Sequence, residues 1–216
     1  MEPFSTGAAL RFGWETFKKR PWFLAGTIFL AYAVSWSVSS ALQSPRIGGI
    51  TAFVLFLVSV AIGTLIAMGL TAFTLHAHDD MSKVSMEDLW HPQSFWNYLG
   101  ASILTGLIVL VGLVLLIVPG IIFTLMFAFV KYLVIDRDLN PVAAMKESER
   151  ITHGHRLELL LFFLALVGFN ILGLLALAVG LLVTVPVSML AIAHAYRTLA
   201  HAASEMTANA PDTASM

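Results

Sequence analysis

Four long stretches of this chain contain no Asp, Glu, Lys or Arg. They lie between Arg20 and Arg46, Arg46 and Asp79, Asp88 and Lys131, and Glu158 and Arg197, and hold 25, 32, 42 and 38 residues. A helix needs about 20 apolar residues to cross about 30 Å of hydrocarbon. Lipid offers no partner to backbone N–H and C=O groups, so a spanning segment must close its own hydrogen bonds. Runs such as Leu113-Val114-Leu115-Leu116-Ile117-Val118 do not alternate, which argues for helices over barrel strands. The first two stretches each fit one helix, expected over 21–42 and 48–74. The second is long enough to tilt or to run past the headgroups.

The last two stretches are too long for one helix each and must fold back. The third carries Pro119-Gly120 near its middle. Proline removes a backbone donor and glycine permits a turn, so helices are expected over 96–118 and 120–135. The fourth has Gly180 near its middle and Pro186 six residues later. It reads as helices over 157–178 and 181–200, with Pro186 kinking the second. The fold class is all-α: a polytopic membrane protein of six transmembrane helices in three hairpins.

Composition agrees. Apolar residues are 58% of the 216, against about 45–50% in soluble domains. Charged residues are 12%, about half the soluble norm, and the mean hydropathy is +0.86. These figures exclude a disordered chain and argue against a soluble globular domain. The formal net charge of −1 gives no field towards nucleic acid, which is not an expected partner. There is no cysteine, so disulfides, thiolate nucleophiles and Cys-based zinc sites are ruled out.

Orientation follows from Lys and Arg. Six spans put both termini on one side, with every Lys and Arg except Arg46. That asymmetry places the termini in the cytoplasm. Lys131 falls inside an expected span and reads as a snorkelling anchor, as does Arg197. Lys18-Lys19-Arg20 ahead of an apolar run, with Ala31-Tyr32-Ala33 beyond, resembles a signal peptide. The run continues to Leu42 and a polar head precedes it, so the segment reads as a span.

The polar segments have patterns of their own. Residues 1–20 form a cytoplasmic amphipathic segment, in which Leu10, Trp14 and Phe17 share a helical stripe suited to the membrane surface. Asn140-Pro141 reads as an N-cap and first helical residue, Gly154 as the stop of that helix, and Glu147 and Arg150 as a pair. Ser85 to Asp88 forms a weak capping box. The chain thus reads as three units of surface segment plus hairpin, with residues 21–203 the membrane domain and residues 204–216 a disordered tail.

The run Val118-Pro119-Gly120-Ile121-Ile122, then Val134-Ile135-Asp136, then Ala143-Ala144-Met145-Lys146-Glu147-Ser148, then Gly154 ahead of Leu157 resembles bacterial six-helix inner-membrane proteins of unknown function. These are similar to the membrane domain fused to some glycerophosphodiester phosphodiesterases. The resemblance implies an inner-membrane location and a helical architecture. It implies no reaction and carries over no catalytic residue.

Candidate chemistry is sparse. His76 and His78 beside Asp79 and Asp80, His153 and His155 around Gly154, and His194 and His201 all fall at one membrane face. Imidazole with carboxylate suits zinc, iron or nickel, but no pair has the i, i+4 spacing of a helical zinc motif. His76, His78, His153 and His155 are the metal candidates. Ser35, Ser37, Ser39 and Ser40 mark span one, Asn170 lies in span five, and Thr184 and Ser188 bracket Pro186. No Asp or Glu lies deep in a span, which argues against a proton pump or cation channel. Gly63, Ala67 and Thr71, Ser102 and Gly106, and Ala176 and Gly180 are spaced for close helix packing. Trp22, Trp96, Tyr98, Tyr132 and Tyr196 form an aromatic belt, and Trp14 and Trp90 lie in the cytoplasmic segments. No nucleotide, zinc-protease or serine-hydrolase motif is present, and Asp136 and Asp138 read as helix caps. No cofactor is expected. The leading expectation is a non-enzymatic envelope accessory or scaffold that binds a membrane partner or anionic lipid. The alternative is a small permease or lipid-handling transporter.

Overall fold

A computed structural model describes residues 4–42, 49–79, 94–176 and 179–208. Arg46, Asp80, Lys83, the Ser85 to Asp88 capping box, Trp90 and residues 209–216 lie outside them, as does the side chain of Ser39. Nine helices appear among the described residues, and no strand. They are α1 (Thr6–Lys19), α2 (Pro21–Leu42), α3 (Gly49–Asp79), α4 (Phe95–Leu115), α5 (Ile117–Met126), α6 (Val130–Arg137), α7 (Pro141–Thr152), α8 (Arg156–Leu175) and α9 (Leu181–Ala208). Five segments are long and apolar enough to cross a membrane: Gly49–Asp79, Phe95–Leu115, Ile117–Arg137, Arg156–Leu175 and Leu181–Glu205. This is consistent with a multi-pass membrane protein. Large apolar side chains stay exposed along them, Val114, Leu157 and Leu175 among them, as lipid-facing surfaces require.

Several boundaries differ from expectation. α3 runs five residues past Thr74, because no breaker stops it before Asp79. The α4–α5 turn falls at Leu116, whose backbone is extended (φ −162°, ψ 144°), and not at Pro119-Gly120. Pro119 instead sits in the first turn of α5, where its missing N–H has no intrahelical partner to lose. Gly120 serves close packing. A Cβ there would lie 2.4 Å from Leu113 Cδ2 and 2.8 Å from Leu113 N, and one on Gly112 would lie 3.0 Å from Gly120 Cα. α9 runs on to Ala208, into the segment expected to be disordered from residue 204. Pro186 lies inside α9 without ending it.

The segment expected as one helix over 120–135 breaks at residues 127–129, between α5 and α6. α7 repairs the break. The Ser148 hydroxyl donates to Met126 O at 2.8 Å and accepts from Phe129 N at 3.3 Å. Thr152 Oγ1 also reaches Met126 O, at 3.4 Å. Both side chains are fully buried. An irregular backbone persists among apolar helices because neighbouring hydroxyls satisfy the freed groups.

α1 does not present the expected stripe. Ala9, Gly13, Thr16 and Phe17 are its buried face, while Trp14 stays exposed. The small residues decide this. α1 packs along α9 so closely that a Cβ on Gly13 would lie 2.5 Å from Val187 O. By contrast, Gly63 and Gly106 have nothing within 4 Å of that position, while Ala67 and Thr71, further along the Gly63 stripe, pack inside the chain, Thr71 against Tyr98 of α4. α7 begins as its local chemistry dictates. The Asn140 side chain accepts from Ala143 N at 2.9 Å, Pro141 is the first residue, and Gly154 beyond the end has φ +85°. The main core joins α1 and α3 to α9 around Phe129, Leu133, Phe162 and Tyr196.

Candidate functional site

The ends of α3 and α6 meet the middle of α9 in a polar cluster. Arg197 on α9 is its centre. Its Nη1 donates to Asp136 Oδ1 at 2.7 Å and its Nη2 donates to Asp79 Oδ2. The buried Tyr196 donates its hydroxyl to Asp136 Oδ2 at 2.7 Å. Arg197 is therefore no free snorkelling anchor and Asp136 no simple cap. A planar guanidinium between two carboxylates ties three helices together.

A histidine pair adjoins this cluster. His78 Nε2 and His194 Nδ1 are 3.1 Å apart, and His78 Nδ1 lies 3.1 Å from Asp79 Oδ1. With Nδ1–H directed to the carboxylate, His78 Nε2 is the acceptor and His194 Nδ1 the donor. Phe12 of α1 covers both rings, with centroids 4.4 Å from His194 and 4.6 Å from His78. An open groove of about 490 Å³ lies beside them, lined by Arg197, Thr198, His201 and Glu205 as well.

The four metal candidates do not converge. His76 and His153 are exposed. His155 pairs with Glu158 at 2.9 Å, and His78 turns to His194. Among the described residues, no group of three or more His, Cys, Asp or Glu can hold a metal ion. Sequence reasoning had no means of pairing His78 with His194, 116 positions apart. The signal available was that both stand near the charged ends of apolar runs.

A second ionic cluster centres on Glu147 and Arg150 of α7, outside the spans, and draws in Arg137 from the end of α6. Glu147 accepts from Arg150 Nη2 at 2.7 Å and Nε at 2.8 Å, and from Arg137 Nη1 at 2.8 Å. The hydrogen bond from Arg150 leads the effects that hold the Glu147 carboxyl below its ordinary range. Arg150 also donates to Ala203 O on α9 at 3.0 Å.

Two further features lie among apolar side chains. Asn170 Nδ2 donates to Ser188 Oγ at 2.8 Å across the α8–α9 interface, and to Leu166 O at 2.8 Å. Both residues line an open groove of about 460 Å³. Ser35 does not; it bonds back to Ala31 O at 3.0 Å. A separate apolar groove of about 330 Å³ lies between α2 and α9, lined by Ala25, Ile28, Phe29, Tyr32, Leu181, Leu182, Val185 and Pro186.

Residues 101–203 match the model of a family described as a protein of unknown function, DUF975. The matched stretch is just under half of the chain. It runs from α4 into α9 and includes Asp136, Ser148, Gly154 and Arg197. The similarity to an uncharacterised family agrees with part of the resemblance seen in the sequence. Nothing in it links the chain to glycerophosphodiester phosphodiesterase fusions. Comparison with curated proteins and with solved structures gave no match.

Proposed function

We propose that the chain is a bacterial inner-membrane protein with six spans, α2 being the sixth, and with both termini in the cytoplasm. Its role is that of a non-enzymatic accessory or scaffold that binds a membrane partner or lipid. The observation that carries this reading is how the polar groups are used. Arg197 bridges Asp79 and Asp136, Glu147 gathers Arg137 and Arg150, and Tyr196 is spent on Asp136. These groups hold helices together, whereas the groove between α2 and α9 is lined by apolar side chains. Such a surface binds by shape and hydrophobic contact. The test is solute flux in liposomes containing the purified chain alone. The accessory reading expects none above empty liposomes, and flux that depends on the protein would sink it.

A second reading, a small permease or lipid-handling transporter, draws on Asn170 and Ser188. A hydrogen-bonded polar pair in an otherwise apolar groove marks a place where water or a substrate group could enter. Its test is cysteine placed at position 170 or 188 and exposed to a membrane-impermeant maleimide. Labelling supports a water-accessible path; absence of labelling in folded protein counts against it.

A further inference from the structure

Three helices meet on two imidazoles. His78 stands in the last turn of α3 and His194 in the middle of α9. Their ring centroids are 5.3 Å apart, and His78 Nε2 lies 3.1 Å from His194 Nδ1, so these two nitrogens lie between the rings and face each other. Phe12 of α1 rests on both rings and is nearly parallel to His194, at an interplanar angle of 15°. Both histidines are partly buried yet line the open groove beside Arg197, which gives protons a path to them.

The contact needs one proton and one lone pair. His78 Nδ1 is turned to Asp79 Oδ1, so its Nε2 is the lone pair that accepts from His194 Nδ1–H. Two nitrogens can still take up a proton. At His194 Nε2, a proton creates a second cation three residues from Arg197, a spacing at which like charges repel. At His78 Nε2, a proton sets two N–H donors against each other and ends the bond. The neighbouring charges are already matched. On α9, Arg197 is shared by Asp79 of α3 and Asp136 of α6. On α1, Arg11 and Glu15 pair with each other at 2.8 Å on the exposed side. Arg150 of α7 pairs with Glu147 and meets α9 only further on, at Ala203 O. His201 and Glu205, 3.7 Å apart, line the groove, and His76 is exposed on α3. Carboxylates and guanidinium groups in general keep their charge from pH 8 to pH 5, whereas imidazole titrates there.

We propose that the His78–His194 pair is a proton-sensitive latch that holds α1 against α9 while the acceptor nitrogen is free and releases it on protonation. Closed, the two rings form one platform under Phe12. Open, the rings part, Phe12 loses the platform and α1 shifts from α9. Asp79 and Arg197 still join α3 to α9, which confines the movement and lets it reverse. The sign follows from linkage. The closed pair has no room for a proton between its nitrogens, whereas parted rings accept protons freely, so acid favours the open form. The latch goes beyond the accessory role proposed above and stands apart from it, because neither state needs a partner or a solute.

The test measures the distance from α1 to the helix bundle in the full chain in nanodiscs. The chain has no cysteine, so Ala8→Cys on α1 and Glu149→Cys on α7, both exposed, carry two spin labels without further change. Double electron–electron resonance is recorded at pH 8, at pH 5 and again at pH 8. A second distance is expected at pH 5 and lost on return. Each proton refused by the closed pair favours the open form by about tenfold per pH unit below about 6.5, so the second population grows by about tenfold or more. The variant His78→Gln/His194→Asn offers an amide oxygen near the acceptor position and an amide N–H near the donor position, and neither titrates. It is expected to keep one distance at both pH values. His201→Gln removes the neighbouring ring of the groove and is expected to respond as the wild type does. One unchanged distance in the wild type overturns the latch. So does a shift that the double variant shares or that His201→Gln abolishes. The comparison at two pH values leaves the pair itself intact, so it decides even where the double variant fails to fold.

Discussion

Ser148 on α7 holds the end of α5 through Met126: its hydroxyl donates to Met126 O at 2.8 Å and accepts from Phe129 N three residues on. One side chain thus serves both an acceptor and a donor freed where the helix breaks. Ser148→Ala leaves buried backbone groups with a lost partner. The expected cost is about 1–3 kcal/mol, read as a lower midpoint in thermal unfolding in detergent. Ser204→Ala, at an exposed site, is the matched control and is expected to change the midpoint little.

Gly13 and Gly120 are expected to reject even a methyl group. A Cβ on Gly13 meets Val187 O at 2.5 Å, and one on Gly120 meets the Leu113 backbone N at 2.8 Å. Backbone atoms cannot move aside as a side-chain tip does. Gly13→Ala and Gly120→Ala each cost about 1–3 kcal/mol by overpacking. Gly63→Ala has open space around it and should be neutral or slightly stabilising, since alanine is the better helix former. Equal stability of all three variants would contradict this assignment of roles.

Arg197 and Asp136 should show coupling. Asp136→Asn removes one carboxylate from the bridge and weakens the acceptor of Tyr196. Arg197→Met removes the cation that ties α9 to α3 and α6. A double-mutant cycle is expected to return an interaction energy of about 1–3 kcal/mol. Additive losses would mean that the bridge contributes nothing beyond its two ends.

Glu147 gives a pH dependence of definite sign. Its carboxyl is held below the ordinary value, first by the hydrogen bond from Arg150. A carboxyl lowered by folding adds stability above its unfolded pKa, near 4.3. That contribution is lost as pH falls through the lower folded value. Unfolding midpoints of the wild type should therefore fall below about pH 4.3 more steeply than those of Glu147→Gln. At pH 7 the variant should be less stable by about 0.5–1 kcal/mol, since its partners are partly exposed. Parallel curves for the two proteins through the acid range would refute the assignment.

What could be read along the chain was what short segments settle by themselves. Uncharged runs of more than 20 residues can only be apolar helices or their hairpins, and α3, α4, α8 and α9 form in those runs. Asn140 before Pro141 begins a helix because an Asx cap and a proline act on their own neighbours. Gly154 takes a positive φ for a similarly local reason. The tertiary structure alone decided which distant groups met. It broke the helix at residues 127–129, which carry neither proline nor glycine, because Ser148 and Thr152 stood ready to satisfy Met126 and Phe129. It moved the turn to Leu116, because a proline is tolerated in the first turn of a helix and two glycines let α4 and α5 approach. It joined Arg197 to Asp79 and Asp136, and His78 to His194, residues that no period or spacing relates. Burial and backbone preference act within a few residues, so the sequence displays them. Partners for freed backbone groups and for charges depend on helices that only packing brings together.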